Sequence, residues 1–265
     1  MMSRGNSSYS VNELLAVFIS REIEDGESPA VGRNLVVPMA GALLAHMHHG
    51  PNIKIGIGHV MTNIYHQPLV DISEMNWQIE LRWAESYRPE DRTLVSLKHL
   101  KRGIFFIGGI QVDRYGNSNM IGIGKDYRKL RFRGPGAIGT PTLTTYVGRY
   151  YIFLNSHDRQ ILVDRCDYIS CVGWDRGGED ARRNLGMPGN GPKYCITPLC
   201  IMDFEEETKR MRLKFVHPGV TVDKVLENTG FDLIVPERVE RTPEPTDEEI
   251  QLLRTRIDPK GVLRK

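Results

Sequence analysis

The 265-residue sequence has little net charge and no long hydrophobic run. Thirty-five Lys and Arg side chains oppose 33 Asp and Glu, and the resulting net charge of +2 is too small to indicate a nucleic-acid partner. No stretch approaches the roughly 20 apolar residues that cross a bilayer, and the N-terminal residues lack the apolar core of a secretory signal. We therefore expect a cytoplasmic protein that binds neither nucleic acid nor membrane.

Cysteine is also rare, and its spacing does not fit a metal site. The four cysteines form two pairs, and each pair has four residues between its members, whereas zinc sites typically use C-x2-C. We interpret them as buried reduced thiols. The pairs are Cys166 with Cys171 and Cys195 with Cys200.

A histidine cluster, HMHHG at residues 46–50, is the other feature that could suggest a metal. His46 and His49 are three residues apart on a predicted helix, but no carboxylate or thiolate nearby completes a site. The partial negative charge of a helix C-terminus attracts imidazole donors. We therefore place these histidines at a helix end and predict no metal.

The sequence does contain alternating helix and strand patterns. Ser10 and Glu13 form a capping box that begins a helix. A strand (residues 28–32), a helix (38–49) and a second strand (52–58) follow. This alternation predicts an α/β fold with an open, mainly parallel sheet flanked by helices, in which ligands bind near the strand ends.

The remaining chain adds a buried strand, IFFIGG, at residues 104–109, and a strand-rich C-terminal third. Thr221 opens one late helix, and Thr246 with Glu249 repeats the capping box. We predict one domain, 1–265, with a C-terminal helical extension from about 236 to 265. Further strands are predicted in YYIFLNS (150–156), DYISCVG (167–173), YCITPLCIMDF (194–204) and RMRLKFV (210–216).

The stretch FIGGIQVDRYGNSN, residues 106–119, concentrates small and amide-bearing residues at a strand end. Gly108 and Gly109 permit close approach of a ligand because they lack a Cβ, and the following polar side chains could hold a carbonyl group. A β-turn from Asp113 to Asn117 explains the same residues by turn chemistry. The residues alone support both interpretations equally.

A second stretch of small residues, RGPGAIGTPT at 133–142, also suggests close approach to the backbone. It lacks the Lys and Ser/Thr of a phosphate-binding P-loop. The basic run before it, KDYRKLRFR at 125–133, is explained by a solvated loop at least as well as by an anion site.

These motifs, in this order, resemble the β subunit of the family I CoA-transferases, most closely the glutaconate CoA-transferase type. The likeness runs almost from end to end. It is carried by FIGGIQVDRYGNSN, RFRGPGAIG, CVGWDRGGEDARRNLGMPGNGP, DFEEETKRMRL, HPGVTVDKVLENTGFDL and LRTRIDP.

The resemblance implies an α-like partner chain, in a heterodimer that assembles to a heterotetramer or larger, with an active site shared between the two chains. Coenzyme A would enter as part of an acyl-CoA substrate, with no permanently bound cofactor. The residues implied to line or brace the site are Gly108, Gly109, Gln111, Asp113, Gly116, Asn117 and Asn119, and those implied to approach the CoA are Gly134, Gly136 and Gly139.

One position departs from the family. Where transferases carry an attacking glutamate, this sequence has Gly56, and no acid occurs from Asn52 to Tyr65. The next acids include Glu74 and Glu80, which are weak candidates for a replacement. We expect an enzyme that borrows an acid from the α subunit, as an acyl-CoA hydrolase or a ring-opening C-C hydrolase. The alternative is a noncatalytic, CoA-ester-binding structural or regulatory subunit.

Overall fold

The computed structural model describes residues 8–32, 35–57, 60–62, 86–87 and 103–265. Glu74 and Glu80 lie outside these residues. The chain divides into two compact units, Met1–Thr93 together with Pro243–Lys265, and Leu94–Thr242. The single domain with a C-terminal extension stays a prediction.

The first unit begins with two packed helices, α1 (Val11–Arg21) and α2 (Val36–His48). The predicted capping box is present, because the Ser10 hydroxyl accepts from the Glu13 backbone N–H at 3.1 Å and the Glu13 carboxylate accepts from the Ser10 N–H at 2.8 Å. A Cβ on Gly41 of α2 would lie 2.6 Å from Ile19 of α1. Glycine at this position therefore lets the two helices approach closely.

Four short strands accompany these helices. β1 pairs with β2 in parallel, with Ala30 opposite Gly56, while β2 with β3 and β3 with β4 are antiparallel. The strand order in this unit is β1-β2-β3-β4. The bounds are β1 Ser28–Val31, β2 Ile55–Ile57, β3 Val60–Thr62 and β4 Ser86–Tyr87.

The second unit contains a six-strand run in the order β15-β14-β13-β12-β10-β5. Its centre, β5 with β10 and β10 with β12, is parallel, and β13 and β14 continue it as antiparallel neighbours. The predicted open α/β fold is confirmed. These strands are β5 Gly103–Ile107, β10 Arg149–Phe153, β12 Pro192–Ile196, β13 Cys200–Phe204, β14 Met211–Val216 and β15 Glu240–Arg241.

Two smaller sheets lie in the same unit, in the orders β11-β6-β7 and β8-β9. Three helices belong here as well. The strands are β6 Gln111–Asp113, β7 Ser118–Asn119, β8 Gly122–Ile123, β9 Phe132–Arg133 and β11 Leu162–Val163, and the helices are α3 Thr140–Tyr146, α4 Ala181–Asn184 and α5 Val222–Asn228.

Two strand predictions differ from the structure. DYISCVG (167–173) is not a strand, and its ladder is reduced to one isolated bridge between Cys171 and Ser118. YCITPLCIMDF divides into β12 and β13, because Pro198 cannot donate in a ladder and the Thr197 hydroxyl accepts from the Cys200 N–H at 3.2 Å.

The C-terminal segment returns to the first unit through helix α6 (Asp247–Leu252), which continues as a π-helical turn, Leu253–Ile257. Two ion pairs join this C-terminal segment to α1. Arg254 Nε lies 2.7 Å from Glu13, and Arg21 lies 2.6 Å from Glu249. Burial raises the pKa of each carboxyl, but the hydrogen bonds from Arg254 and Arg21 help to hold that pKa below its usual value.

The four cysteines and the histidine cluster all lie among the described residues. All four cysteines are buried free thiols. His46 and His49 lie at the end of α2, 3.2 Å and 2.9 Å from the carbonyl oxygens of Gly50 and Ile23. Within the ranges given above, no cluster of His, Cys, Asp and Glu could hold a metal ion, and no helix is long and apolar enough to cross a membrane.

Candidate functional site

Strand β5 is fully buried and leads into Gly108 and Gly109. A Cβ on Gly108 would meet only the carbonyl oxygen of Phe153, at an ordinary 3.7 Å. A Cβ on Gly109 would approach within 3.0 Å of the Gln111 carbonyl oxygen and 3.1 Å of Val112. Local packing therefore accounts for Gly109, whereas Gly108 leaves space beside the strand end.

Asp113 organises the turn that follows. Its Oδ1 accepts from the backbone N–H groups of Tyr115 at 3.0 Å and Asn117 at 3.1 Å, and its carbonyl accepts from the N–H of Gly116 at 2.8 Å. Gly116 has φ +70°, which glycine adopts without strain. The β-turn interpretation is therefore realised in these hydrogen bonds.

The Asp113 carboxyl is 3% exposed. Burial raises its pKa above the usual value, although the hydrogen bonds from Asn117 and from the Tyr115 backbone act in the opposite direction. Its oxygens already accept several hydrogen bonds within the chain. Asp113 is therefore placed to hold a loop and is badly placed to attack a substrate.

Asn117 connects this turn to a segment more than fifty residues later. Its Nδ2 donates to both Asp113 oxygens and, at 2.7 Å, to the carbonyl of Asp175, while its Oδ1 accepts from the N–H of Gly173 at 2.9 Å. The side chain is 1% exposed. It braces the turn from within the fold.

Asn119 and Gln111 form a second buried pair. Asn119 Nδ2 donates to Gln111 Oε1 at 2.7 Å, and Asn119 Oδ1 accepts from the N–H groups of Ile121 and Gly122. Gln111 Oε1 also accepts from the N–H of Asp167 at 2.9 Å. In the described part of the chain, Gln111 Nε2 has no hydrogen-bond partner, so this amide donor is available.

The glycine-rich loop that follows β9 is held against the same region. Gly134 donates its N–H to Ile121 at 2.8 Å, and a Cβ there would lie 2.3 Å from the Met120 carbonyl oxygen. Gly136, at φ +86°, has open space around it. Gly139 occupies the N-cap position of α3. The structure therefore brings together the two glycine-bearing stretches that the sequence singled out separately.

Arg182 is a residue that the sequence did not single out. It is 3% exposed, and its guanidinium donates to the carbonyls of Gly189, Val172, Gly173 and Thr144 at 2.7 to 3.0 Å. Burial lowers its pKa. Because Thr144 lies in α3, Arg182 fixes the helix that follows the glycine-rich loop. The run ARRN offers no signal that separates Arg182 from exposed Arg183.

Gly56, which the sequence resemblance predicts at the family's glutamate position, lies in β2 between Ala30 of β1 and Met61 of β3. It supplies no side chain at all. Strand β2 therefore offers no carboxylate at this register position.

Comparison with known proteins identifies the family. Residues 12–228 match the family model described as Coenzyme A transferase. The chain belongs to this family. The predicted resemblance is confirmed, and with it the assignment to an enzyme family whose substrates are CoA thioesters.

This coenzyme A transferase family member is 34% identical over 256 residues to the B subunit of 3-oxoadipate CoA-transferase from Pseudomonas knackmussii, with 94% of this chain and 93% of the relative covered. It is 34% identical over 266 residues to the B subunit of glutaconate CoA-transferase from Acidaminococcus fermentans, covering 96% and 94%. The crystal structure of that glutaconate coenzyme A-transferase matches with a TM-score of 0.85 at 30% identity, over 98% of both chains.

A further relative in the family carries a different activity in its name. The chain is 29% identical over 236 residues to the cholesterol ring-cleaving hydrolase IpdB subunit of Mycobacterium tuberculosis, covering 87% of this chain and 90% of the relative. The corresponding subunits of two transferases and of a hydrolase are thus all similar to this chain.

Proposed function

We propose that this chain is the B subunit of a two-subunit enzyme that hydrolyses an acyl-CoA substrate, with the catalytic acid supplied by the partner subunit. The observation that carries the proposal is Gly56 on β2. The B-subunit names of the relatives support the two-subunit assembly. The ring-cleaving relative supports hydrolysis as a reaction of this family.

The chemistry explains why one residue decides between the two reactions. In transfer, a carboxylate oxygen attacks the thioester carbonyl and the C–S bond breaks, which gives an anhydride on the enzyme and a free CoA thiolate. The thiolate then attacks the enzyme's carbonyl carbon, the anhydride C–O bond breaks, the donor acid leaves, and the enzyme carries its own CoA thioester. Glycine cannot form either intermediate. In hydrolysis, a carboxylate takes a proton from water, the water oxygen bonds to the carbonyl carbon, the C–S bond breaks, and the leaving CoA thiolate receives the proton.

Ring opening follows the same balance. Water adds to a ring carbonyl that is β to the thioester. The C–C bond between this carbonyl carbon and the carbon next to the thioester then breaks, and the carbon next to the thioester receives the proton. In both versions a carboxylate of the partner acts as base and then as acid, and no bond to the enzyme forms.

In this proposal the described residues shape the space for the substrate and provide one hydrogen-bond donor. Gly108 leaves room at the end of β5, and Gln111 Nε2 donates to the carbonyl oxygen on which negative charge develops. Asp113, Asn117 and Asn119 hold that donor and the loop in place through their internal hydrogen bonds.

The test is co-expression with an A-subunit-like partner chain, followed by incubation of the complex with dicarboxylic and alicyclic acyl-CoA thioesters. Borohydride reduces an enzyme-bound thioester, and mass spectrometry then locates it. Release of free CoA or of a ring-opened product, without a trapped adduct, supports the proposal.

Two results would contradict it. A trapped adduct on Glu74 or Glu80 would make this chain a transferase subunit with a relocated nucleophile. An assembled complex that binds CoA thioesters but turns none over would make it a noncatalytic binding protein.

A further inference from the structure

Strands β8 and β9 form a hairpin that projects five cations. We call residues 122–133 the basic hairpin. Its tip is a 3-10 turn, Tyr127–Lys129, which begins where Asp126 accepts from the N–H of Arg128 at 2.9 Å. The cations are Lys125, Arg128, Lys129, Arg131 and Arg133, and all five are exposed.

The charge on this hairpin is concentrated and uncompensated. Five cations and the single carboxylate of Asp126 give residues 125–133 a net charge of +4, twice that of the whole chain. Nearby acids are committed to the backbone, since Asp126 caps the turn and Asp167 accepts from the N–H of Gly124 at 2.8 Å. No ion pair joins the five cations to an acid of the described ranges.

An exposed aromatic ring lies among these charges. Tyr127 is 53% exposed, and the guanidinium of Arg133 lies 5.4 Å from its ring centroid and donates to its hydroxyl at 3.2 Å. Tyr168 contacts Tyr127 edge to face, with 6.3 Å between the ring centroids. A flat ring with a guanidinium beside it, on a hairpin that carries further cations, is chemically suited to a base carrying phosphates.

The hairpin is anchored to the candidate site at both ends. Asn119 Oδ1 accepts from the N–H of Gly122, where β8 begins, at 3.2 Å. Gly134 follows β9 directly, and its N–H bonds to Ile121. Any ligand that reaches the glycine-rich loop therefore has this cationic surface beside it.

We propose that the basic hairpin binds the nucleotide end of the CoA substrate, with the cations on its pyrophosphate and 3′-phosphate and the Tyr127 ring against its base. This inference rests on the proposed function, because it assigns the phosphates of the same acyl-CoA. Phosphate groups carry negative charge and accept several hydrogen bonds each, which matches a surface of Arg and Lys side chains that have no acidic partner among the described residues.

The experiment measures binding, so that it does not depend on turnover. The complex with the A-subunit-like chain is titrated calorimetrically with CoA and with 3′-dephospho-CoA. The test variant combines Arg128→Gln, Lys129→Gln and Arg131→Gln. The matched control combines Lys224→Gln, Arg238→Gln and Arg241→Gln, which remove the same charge from exposed positions elsewhere in this unit.

We expect the hairpin variant to raise the Kd for CoA about tenfold or more, and the control to change it less than about twofold. Removal of the 3′-phosphate should weaken binding to the wild-type complex but change little in the hairpin variant. Raising NaCl from about 50 to about 300 mM should weaken wild-type binding more than variant binding, because salt screens the charges.

The possible results distinguish a failure of the hairpin site from a failure of the proposed function. Equal Kd values in the wild type and the hairpin variant, in a complex that hydrolyses acyl-CoA, would overturn the hairpin site alone. Loss of subunit association in the hairpin variant, seen by size-exclusion chromatography, would identify the hairpin as a subunit contact and also overturn it. Absence of any CoA binding to the wild-type complex would overturn both.

Discussion

The side-chain amide of Asn117 donates to both carboxylate oxygens of Asp113, at 3.1 and 3.0 Å, inside a turn that is closed to solvent. The amide therefore satisfies the hydrogen-bonding demand of a buried acid whose pKa is raised by its burial. The same amide reaches the Asp175 carbonyl. One side chain thus joins the turn to the segment beside Arg182.

Asn117→Asp should destabilise the protein by about 2 to 4 kcal/mol at pH 8, because it replaces the donor with a second carboxylate next to Asp113. The loss should shrink at pH 5.5, where the two carboxyls can share a proton. Denaturant unfolding at both pH values measures this. Exposed Asn190→Asp is the control, and an equal effect of both substitutions would contradict the role of the pair.

Gly116→Ala should cost more than Gly186→Ala. The two glycines have nearly the same φ, +70° and +69°, but a Cβ on Gly116 would lie 2.7 Å from the Phe204 ring, whereas Gly186 has nothing within 4 Å. The left-handed backbone should cost each variant about 1 kcal/mol, and the clash should add about 1 to 3 kcal/mol at Gly116 alone. Free energies of unfolding measure the difference, and equal values would contradict it.

Arg182→Lys should lower the free energy of unfolding by about 2 to 4 kcal/mol, since an ammonium cannot reach four carbonyls in the geometry of a guanidinium. Arg183→Lys is the matched control. Arg183 is exposed, and among the described residues its ion-pair partner is Asp180, so its loss should stay below about 0.5 kcal/mol. Hydrogen exchange should also show faster opening of α3 in Arg182→Lys. Unchanged exchange in α3 would contradict the claim that Arg182 fixes the helix after the glycine-rich loop.

His157 should make the protein acid-sensitive between pH 7 and pH 5. Burial lowers its pKa to about 4, and it lies 2.8 Å from the Thr197 hydroxyl and 3.0 Å from that of Thr229. Because an unfolded histidine binds a proton near pH 6.5, stability is fully present above that pH and falls as the pH drops toward 4.

The expected loss from His157 is about 2 kcal/mol between pH 7 and pH 5, and buried His217, whose pKa is also lowered by burial, acts in the same direction. His157→Gln should flatten the pH profile, whereas exposed His48→Gln should leave its slope unchanged. Denaturant unfolding across this pH range measures both slopes. A wild-type stability that does not change with pH would contradict the prediction.

Gln111→Glu tests the available amide donor of the proposed site. The substitution keeps an oxygen for the Asn119 amide and the Asp167 N–H, replaces the Nε2 donor with an oxygen, and adds a negative charge. We expect kcat with an acyl-CoA to fall by about 10²-fold or more, with the complex still assembled. An unchanged kcat would contradict the assignment of Gln111 to the proposed site. Asn228→Asp, at a half-buried amide on α5, serves as the control for the added charge.

Much of the fold follows from short-range patterns in the sequence. The capping boxes at Ser10 and Thr246 and the turn at Asp113 each depend on residues three or four apart, so the sequence displays all the participants together. The alternation of helices and strands and the order of the motifs were sufficient for the α/β class and the family. The prediction that Gly56 stands at the family's glutamate position also rests on the sequence alone.

Only the tertiary structure decided which polar side chains form hydrogen bonds within the chain, and with which partners. Gln111 accepts from Asp167 across 56 residues and Asn117 donates to Asp175 across 58, and no local pattern encodes such pairs. The prediction of a strand at 167–173 was wrong for the same reason. The backbone of this segment forms hydrogen bonds with Ser118 and with the Asn117 side chain, which are distant in the sequence. The choice of Arg182 over Arg183 for burial likewise depends on carbonyl groups that the folded chain brings around one guanidinium.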